Sequence, residues 1–154
     1  MNKKILLLSL CSLLLLFSSC EKEQKISPDP TTAELLIGSW HESSSSLTLY
    51  DAASKKISED AQPLRTATFY NTGKFTYSFV NDQIVEGTYA LSKEGTSENI
   101  KFTTTDKESL LFKIIQISDK ELTVTCETHN VIYYVNDKPH TAATAIRRMT
   151  LSKM

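Results

Sequence analysis

Apolar and polar residues alternate one by one along much of the chain after residue 47. The alternation is clearest in KFTYSFV (74–80), VEGTYAL (85–91) and ELTVTCE (121–127). In each segment the apolar or aromatic side chains fall on one face, and mostly polar side chains fall on the other. A period of two residues predicts β-strands that bury one face. The threonines and aromatic residues suit such half-buried strands.

Short turn-forming stretches separate these segments. YNTGKF, VNDQI, LSKEGTSENI, ISDKEL and VNDKPHTA each predict a break. Strands joined in sequence by short turns predict an antiparallel meander. The predicted strands are 38–50, 64–70, 74–80, 84–91, 99–105, 110–117, 121–127, 131–135 and 143–152. We therefore expect an all-β domain, an antiparallel up-and-down β-barrel of about eight strands, with a β-sandwich as the alternative.

Three segments depart from this pattern. In TTAELLIG, Thr31 and Glu34 form a capping box and Gly38 can end the turn, which predicts a short helix before Trp40. Residues 51–63 are long for a hairpin connection and are expected to hold a helical turn or to form a mobile flap. The segment LLFKIIQI (110–117) is apolar on both faces, which predicts a strand covered from outside by the 51–63 loop or by a partner.

The N-terminus carries an export signal. Lys3 and Lys4 precede an apolar run of 13 residues, 5–17, which is shorter than the about 20 residues a membrane-spanning helix needs. The sequence LFSSC that follows resembles a bacterial lipobox, which implies cleavage before Cys20 and its acylation. The alternatives are an ordinary secretory signal, and Cys11, which we reject because it lies inside the apolar run. The predicted organisation is a signal peptide at 1–19, a lipid-anchored flexible tether at 20–32 and one β-domain at 33–154.

This organisation predicts a bacterial outer membrane lipoprotein, held at the cell envelope by N-terminal acyl chains. Without Lys3 and Lys4 the chain has 15 Lys and Arg against 18 Asp and Glu, and no basic stripe. We therefore expect no nucleic-acid partner. Apart from Cys20, the mature chain retains only Cys126, so no disulfide can form within the domain. Glu21 and Glu23 only weakly resemble a surface-export signal, so the periplasmic and surface-exposed faces both stay open.

Candidate catalytic and metal-binding residues are scattered. The three histidines are His41, His129 and His140. Cys126 and His129 are three residues apart, so on a strand they point to opposite faces, and no second pair completes a metal site. Ser43–Ser46 follow His41 without a nucleophile elbow or a placed acid. The alternation turns Glu86, Glu121 and Glu127 toward solvent. We expect no metal, no cofactor and no catalytic residue, and hence no enzyme.

The order of several short motifs resembles the lipocalin-like domains of bacterial lipoproteins. The resemblance covers about residues 33–154, and it is carried by Gly38-Ser39-Trp40, Gly73-Lys74-Phe75, Gly87-Thr88-Tyr89 and the final RRMTLSKM. It implies a barrel closed at one end, with Trp40 beneath the interior and a basic side chain of the last strand over the indole. Arg147, Arg148 and Lys153 are the candidates, and Arg147 shares the face of Met149 and Leu151. With Gly38 and Trp40, Arg147 is therefore assigned to barrel closure. The resemblance implies no particular ligand.

Seven aromatic residues are predicted to face the interior of the barrel. They are Phe75, Tyr77, Phe79, Tyr89, Phe102, Phe112 and Tyr133. They fill the barrel as core, or they line a cavity that binds a small apolar or amphipathic ligand. The second hypothesis for function is a non-enzymatic interaction or structural lipoprotein, whose solid barrel contacts another envelope protein or a host protein.

Overall fold

The computed structural model describes residues 30–79 and 83–154. The predicted signal peptide, Cys20 and the tether up to residue 29 lie outside this range. The elements are helix α1 (Thr32–Leu36) and strands β1 (Gly38–Tyr50), β2 (Lys56–Ala61), β3 (Thr66–Phe69), β4 (Lys74–Ser78), β5 (Ile84–Glu94), β6 (Ser97–Thr104), β7 (Ser109–Ile117), β8 (Glu121–Val135) and β9 (Lys138–Lys153).

The strands form a closed antiparallel barrel. From β3 to β9 each strand pairs with the next, and β1 pairs with β3 on one side and with β9 on the other. Eight strands thus close on themselves, and β2 is an additional strand on the far half of β1. The predicted up-and-down barrel is confirmed, as is the short helix with its capping box between Thr31 and Glu34.

A bulge in β1 changes which of its side chains face inward. Glu42 lies opposite Leu151 and Ser44 opposite Thr150, so Ser43 is one extra residue on β1. Trp40 and Glu42 are buried before the bulge, and Ser45 is buried after it. The extra residue therefore shifts the inward-facing positions from even to odd numbers.

Residues 51–63 form neither a helical turn nor a flap. Lys56–Ala61 is strand β2, which pairs with β1 from Ser46 to Tyr50. The Asp51 carboxylate accepts hydrogen bonds of 2.9 Å from the backbone N–H groups of Ala53 and Lys55, which shapes the turn before β2. The sequence KISEDA lacks apolar alternation because β2 is a charged, exposed edge strand, so the strand was missed.

The end of the chain also differs from the prediction. Residues 121–127 and 131–135 belong to one strand, β8, and β9 starts at Lys138 instead of residue 143. The turn between them is only Asn136-Asp137, with φ values of 50° and 61°. Two consecutive positive φ values are typical of a type I′ hairpin turn, which joins long strands without a break.

Long strands β8 and β9 extend beyond the barrel. There, beside the far half of β1, they enclose a small second core with three buried residues, Leu49, Ala142 and Ala145. Leu47, Val131 and Tyr133 pack against it.

The outer face of β7 is exposed in this chain, so the predicted cover by residues 51–63 is wrong, whereas cover by a partner stays a prediction. Leu111 is 53% exposed and Ile115 is 47% exposed. Strand β2 pairs with β1 and not with β7, so residues 51–63 do not cover this face.

The barrel is closed at the end where α1 lies. Trp40 is fully buried, and its indole Nε1 donates a hydrogen bond of 2.8 Å to the Leu36 carbonyl oxygen, which the short helix leaves without a helical partner. Lys153 Nζ lies 5.1 Å from the centre of the indole and donates a hydrogen bond of 2.8 Å to the Leu35 carbonyl oxygen. Gly38 has a φ of +126°, and a Cβ there would lie 3.0 Å from Lys153 Cε. Lys153, and not Arg147, is thus the basic residue over Trp40.

Candidate functional site

The barrel encloses a cavity of about 270 Å³ on the side away from the closed end. Its lining is mainly apolar and comes from seven barrel strands, β3 to β9, and the segments beside them. The lining residues are Arg65, Ala67, Phe69, Phe75, Tyr77, Phe79, Val85, Ile100, Phe102, Thr104, Glu108, Leu110, Phe112, Leu122, Val124, Arg147, Met149 and Leu151. Glu108 and Leu110 are exposed, so the mouth of the cavity lies beside the β6–β7 connection.

Five of the seven aromatic residues named from the sequence line this cavity. They are Phe75, Tyr77, Phe79, Phe102 and Phe112. Tyr89 lies outside the lining, where its ring meets Phe69 edge-on at 5.4 Å and its hydroxyl donates a hydrogen bond of 2.8 Å to the Tyr70 carbonyl oxygen. Tyr133 packs against the second core, with its ring centre 5.5 Å from that of His140.

The aromatic wall is held together by ring contacts. Phe102 stands at its centre, with ring centroids 5.0 Å from Phe75, 5.4 Å from Phe112 and 5.9 Å from Phe69. Each such contact contributes about 0.5–1.5 kcal/mol beyond the burial of apolar area. The wall is therefore formed by aromatic side chains that stabilise one another's positions.

A polar cluster interrupts the apolar wall. The Tyr77 hydroxyl donates a hydrogen bond to Glu42 Oε1, and Arg65 Nη1 lies 3.5 Å from the Tyr77 oxygen. The Arg65 guanidinium also lies over the Phe79 ring, at 4.4 Å from its centre. Within the described ranges, Glu42 Oε2 and Arg65 Nε are buried and have no hydrogen-bond partner. The cluster thus keeps hydrogen-bonding capacity that no other described residue uses.

The same cluster perturbs the ionisation of Tyr77. Burial, and then the hydrogen bond to Glu42 and its negative charge, raise the pKa of Tyr77 to about 12, although Arg65 acts in the opposite direction. Tyr77 is consequently a neutral hydrogen-bond donor at physiological pH.

Arg147 contributes a second guanidinium to the cavity. It faces inward beside Cys126 and Leu47, and its Nη2 donates to Gln62 Oε1 at 3.5 Å. In the part of the chain that the structure describes, neither Arg147 nor Arg65 forms an ion pair with a carboxylate. Burial raises the pKa of the Cys126 thiol, and the charge of Arg147 partly counteracts this effect.

The polar cluster of Glu42, Arg65 and Tyr77 was not predicted, although the sequence contains a signal for it. Glu42 has the same parity as Trp40, and Arg65 the same parity as Ala67 and Phe69, so both could have been placed on the inner face. The inward position of Glu42 was not predicted, because the serine run that follows it suggested only a bend or a solvated face.

The scattered histidines and serines stay apart. His41 is exposed, Ser43 Oγ donates to the Thr150 carbonyl oxygen at 3.1 Å, and His129 lies 3.7 Å from Glu127 at the surface. Over residues 30–79 and 83–154, no three His, Cys, Asp or Glu side chains meet in a group that could hold a metal ion.

No helix within the described ranges is both long and apolar enough to cross a membrane.

Comparison of the chain with protein-family models, with curated proteins and with solved structures found no match.

Proposed function

We propose that this protein is a lipid-anchored lipoprotein of the bacterial outer membrane, with a lipocalin-like barrel that binds a small apolar or amphipathic ligand. The observation that carries the ligand-binding part is the cavity of about 270 Å³, lined mainly by aromatic and aliphatic side chains. Apolar pockets with a few convergent polar groups are the usual form of small-molecule sites. The lipobox-like LFSSC before residue 21 supports the anchor.

The volume of the cavity restricts the ligand to small molecules. Pockets for drug-sized ligands start at about 300 Å³, so this cavity is slightly smaller than that range. An apolar cavity of about 150 Å³ already binds benzene. A ligand with one ring or a short alkyl chain therefore fits, whereas a long-chain lipid does not fit without a change in the barrel.

A binding assay with a neutral apolar dye tests the proposal. 4-(Dimethylamino)benzonitrile, a neutral one-ring dye whose emission depends on polarity, is titrated into the full chain, reconstituted in lipid nanodiscs, with empty nanodiscs as the blank. Ala67 is buried and lines the cavity, so Ala67→Leu fills part of its volume. Ala90 is exposed on β5, so Ala90→Leu is the matched control.

We expect saturable dye binding that Ala67→Leu weakens at least tenfold and that Ala90→Leu leaves unchanged. Circular dichroism checks that both variants fold. Absence of saturable binding, or equal binding by both folded variants, would contradict the proposal.

The alternative function, a structural or interaction lipoprotein, has one observation in its favour. Leu111 and Ile115 on β7 and Ile132 and Tyr134 on β8 expose large apolar side chains. These positions would suit a protein partner. The solid barrel assumed with this alternative does not agree with the cavity, so ligand binding is the function that the geometry supports best.

A further inference from the structure

We infer that the ligand of this cavity carries one carboxylate, held by the guanidinium groups of Arg65 and Arg147, in addition to its apolar body. The inference rests on the proposed ligand-binding function and specifies the class of ligand. It starts from the presence of two permanently charged side chains in the lining of a mainly apolar cavity. A charge in such surroundings is unfavourable unless an opposite charge or a set of hydrogen bonds compensates it.

Arg65 is arranged to present donors to a ligand. Its guanidinium lies over the Phe79 ring at 4.4 Å and over the Tyr77 ring at 5.5 Å, so aromatic faces fix its plane. Its Nη1 is at the limit of hydrogen-bond distance from the Tyr77 oxygen, 3.5 Å, and its buried Nε has no partner in the described ranges. The fork of N–H groups on a guanidinium matches the two oxygens of a carboxylate.

Arg147 leaves the cavity with a positive charge to compensate. Its polar partner among the described residues, Gln62 Oε1, is a neutral amide oxygen at 3.5 Å. Glu42 lies close to the Arg65–Tyr77 pair and can offset one guanidinium, but it is engaged by the Tyr77 hydroxyl and does not line the cavity. Glu108 does line the cavity, but it is exposed at the mouth, where water screens its charge.

A ligand with a cationic group, or one with only neutral polar groups, would fit this lining less well than a carboxylate. A cationic ligand would meet both guanidinium groups and would be repelled. A neutral ligand would leave the Arg147 charge with only the water-screened Glu108 as a carboxylate among the described lining residues. A carboxylate supplies both the missing charge and acceptors for guanidinium N–H groups of Arg65 and Arg147.

Two probes of equal length separate the carboxylate from the apolar body. Octanoate and 1-octanol are each titrated calorimetrically into the full chain in nanodiscs at pH 7, with empty nanodiscs as the blank. The variants are Arg147→Gln and Arg65→Gln, which remove a charge and retain polar groups, and Arg147→Lys, which retains the charge. Arg148→Gln is the matched control, because Arg148 is exposed on the opposite face of the same strand.

We expect octanoate to bind at least tenfold more tightly than 1-octanol. Arg147→Gln and Arg65→Gln should each reduce this preference for octanoate over 1-octanol severalfold. Arg147→Lys should retain part of the preference, and Arg148→Gln all of it.

Equal binding of the two probes by the wild-type protein would overturn the carboxylate inference and leave the proposed apolar site intact. A preference for octanoate that survives both Arg→Gln substitutions would also overturn it. If neither these probes nor the neutral dye binds, the proposed function itself fails.

Discussion

At the scale of single residues, Glu42 and Tyr77 have the most unusual surroundings. Glu42 is the only charged side chain among the described residues that is fully buried. One of its oxygens accepts the Tyr77 hydroxyl hydrogen bond, and the other has no partner there. A buried carboxylate is tolerated only when hydrogen bonds replace its lost hydration. The hydrogen bond from Tyr77 therefore offsets part of the desolvation cost of Glu42 inside the barrel.

Tyr77→Phe should therefore lower the free energy of unfolding by about 1–3 kcal/mol, because it leaves the buried Glu42 carboxylate without its donor. Urea denaturation at neutral pH measures this change. Tyr89→Phe is the matched control, since the Tyr89 hydroxyl bonds a carbonyl oxygen at the surface, and its loss should stay below about 1 kcal/mol. Equal losses in the two variants would contradict the assigned role of Tyr77.

The stability of the protein should also depend on Tyr77 at alkaline pH. The folded state raises the pKa of Tyr77 to about 12, above the usual value of 10.0, because burial and Glu42 disfavour the phenolate. The resulting stabilisation is complete below pH 10 and is lost as the pH rises toward 12. Wild type should lose about 2 kcal/mol more than Tyr77→Phe over this interval. Urea denaturation at several pH values measures the difference, and parallel pH profiles of the two proteins would refute it.

Trp40 is a fully buried core residue at the closed end of the barrel. Trp40→Ala should lower the free energy of unfolding by about 3–5 kcal/mol, because it removes a fully buried indole and the donor to the Leu36 carbonyl oxygen. Lys153→Met retains an alkyl side chain but removes the cation over the indole, and it should cost about 0.5–2 kcal/mol. Chemical denaturation ranks the two variants, and a Trp40→Ala protein as stable as wild type would rule out this packing role.

At the scale of elements, irregularities in the strands decide which side chains meet inside the barrel. The Ser43 bulge in β1 leaves Glu42 facing inward and returns Ser45 and Leu49 to the interior. A similar bulge lies between Ile114 and Gln116 in β7. Simple alternation predicts the inner face up to each bulge and fails beyond it, because one extra residue reverses the parity.

Because Gly87 in β5 has no side chain, the backbone of β6 and the Phe75 ring of β4 can lie close to it. A methyl group at Gly87 would overlap the Thr103 carbonyl oxygen and would lie 2.8 Å from Cε1 of the Phe75 ring. Gly87→Ala should lower the free energy of unfolding by about 1–3 kcal/mol and should weaken dye binding, because Phe75 lines the cavity.

Gly95 offers the control for this substitution. It has a φ of +59° in a turn, and a methyl group there would touch nothing within 4 Å. Gly95→Ala should lower stability by about 1–2 kcal/mol through backbone strain alone and leave dye affinity unchanged. Equal effects on dye affinity from both alanines would contradict the steric role of Gly87.

At the scale of the whole molecule, closure of the barrel separates a sealed end from an open one. The described chain begins at Pro30, next to the helix at the sealed end, whereas the cavity mouth lies beside the β6–β7 connection. The charged edge strand β2 protects the sheet from pairing with other chains.

Cys20→Ala should abolish fatty-acid labelling and release the protein from the membrane fraction, because the acyl chains are the expected attachment. Metabolic labelling with a radioactive fatty acid and cell fractionation measure the two effects. Cys126→Ala is the matched control, since Cys126 is buried in the barrel and should leave labelling unchanged. A Cys20→Ala protein that still labels and still sediments with membranes would disprove the anchor.

The sequence by itself determined the class of fold, the helix before Trp40 and most of the aromatic wall, because alternation and capping are local properties. Only the tertiary structure decided that β2 is a strand, that Lys153 and not Arg147 covers Trp40, and that Glu42, Arg65 and Tyr77 form one cluster. The physical reason is that these relations depend on strand register and on which side chains meet across the barrel. A periodic pattern identifies the inner face of a strand, but only the closed barrel determines what that face encloses.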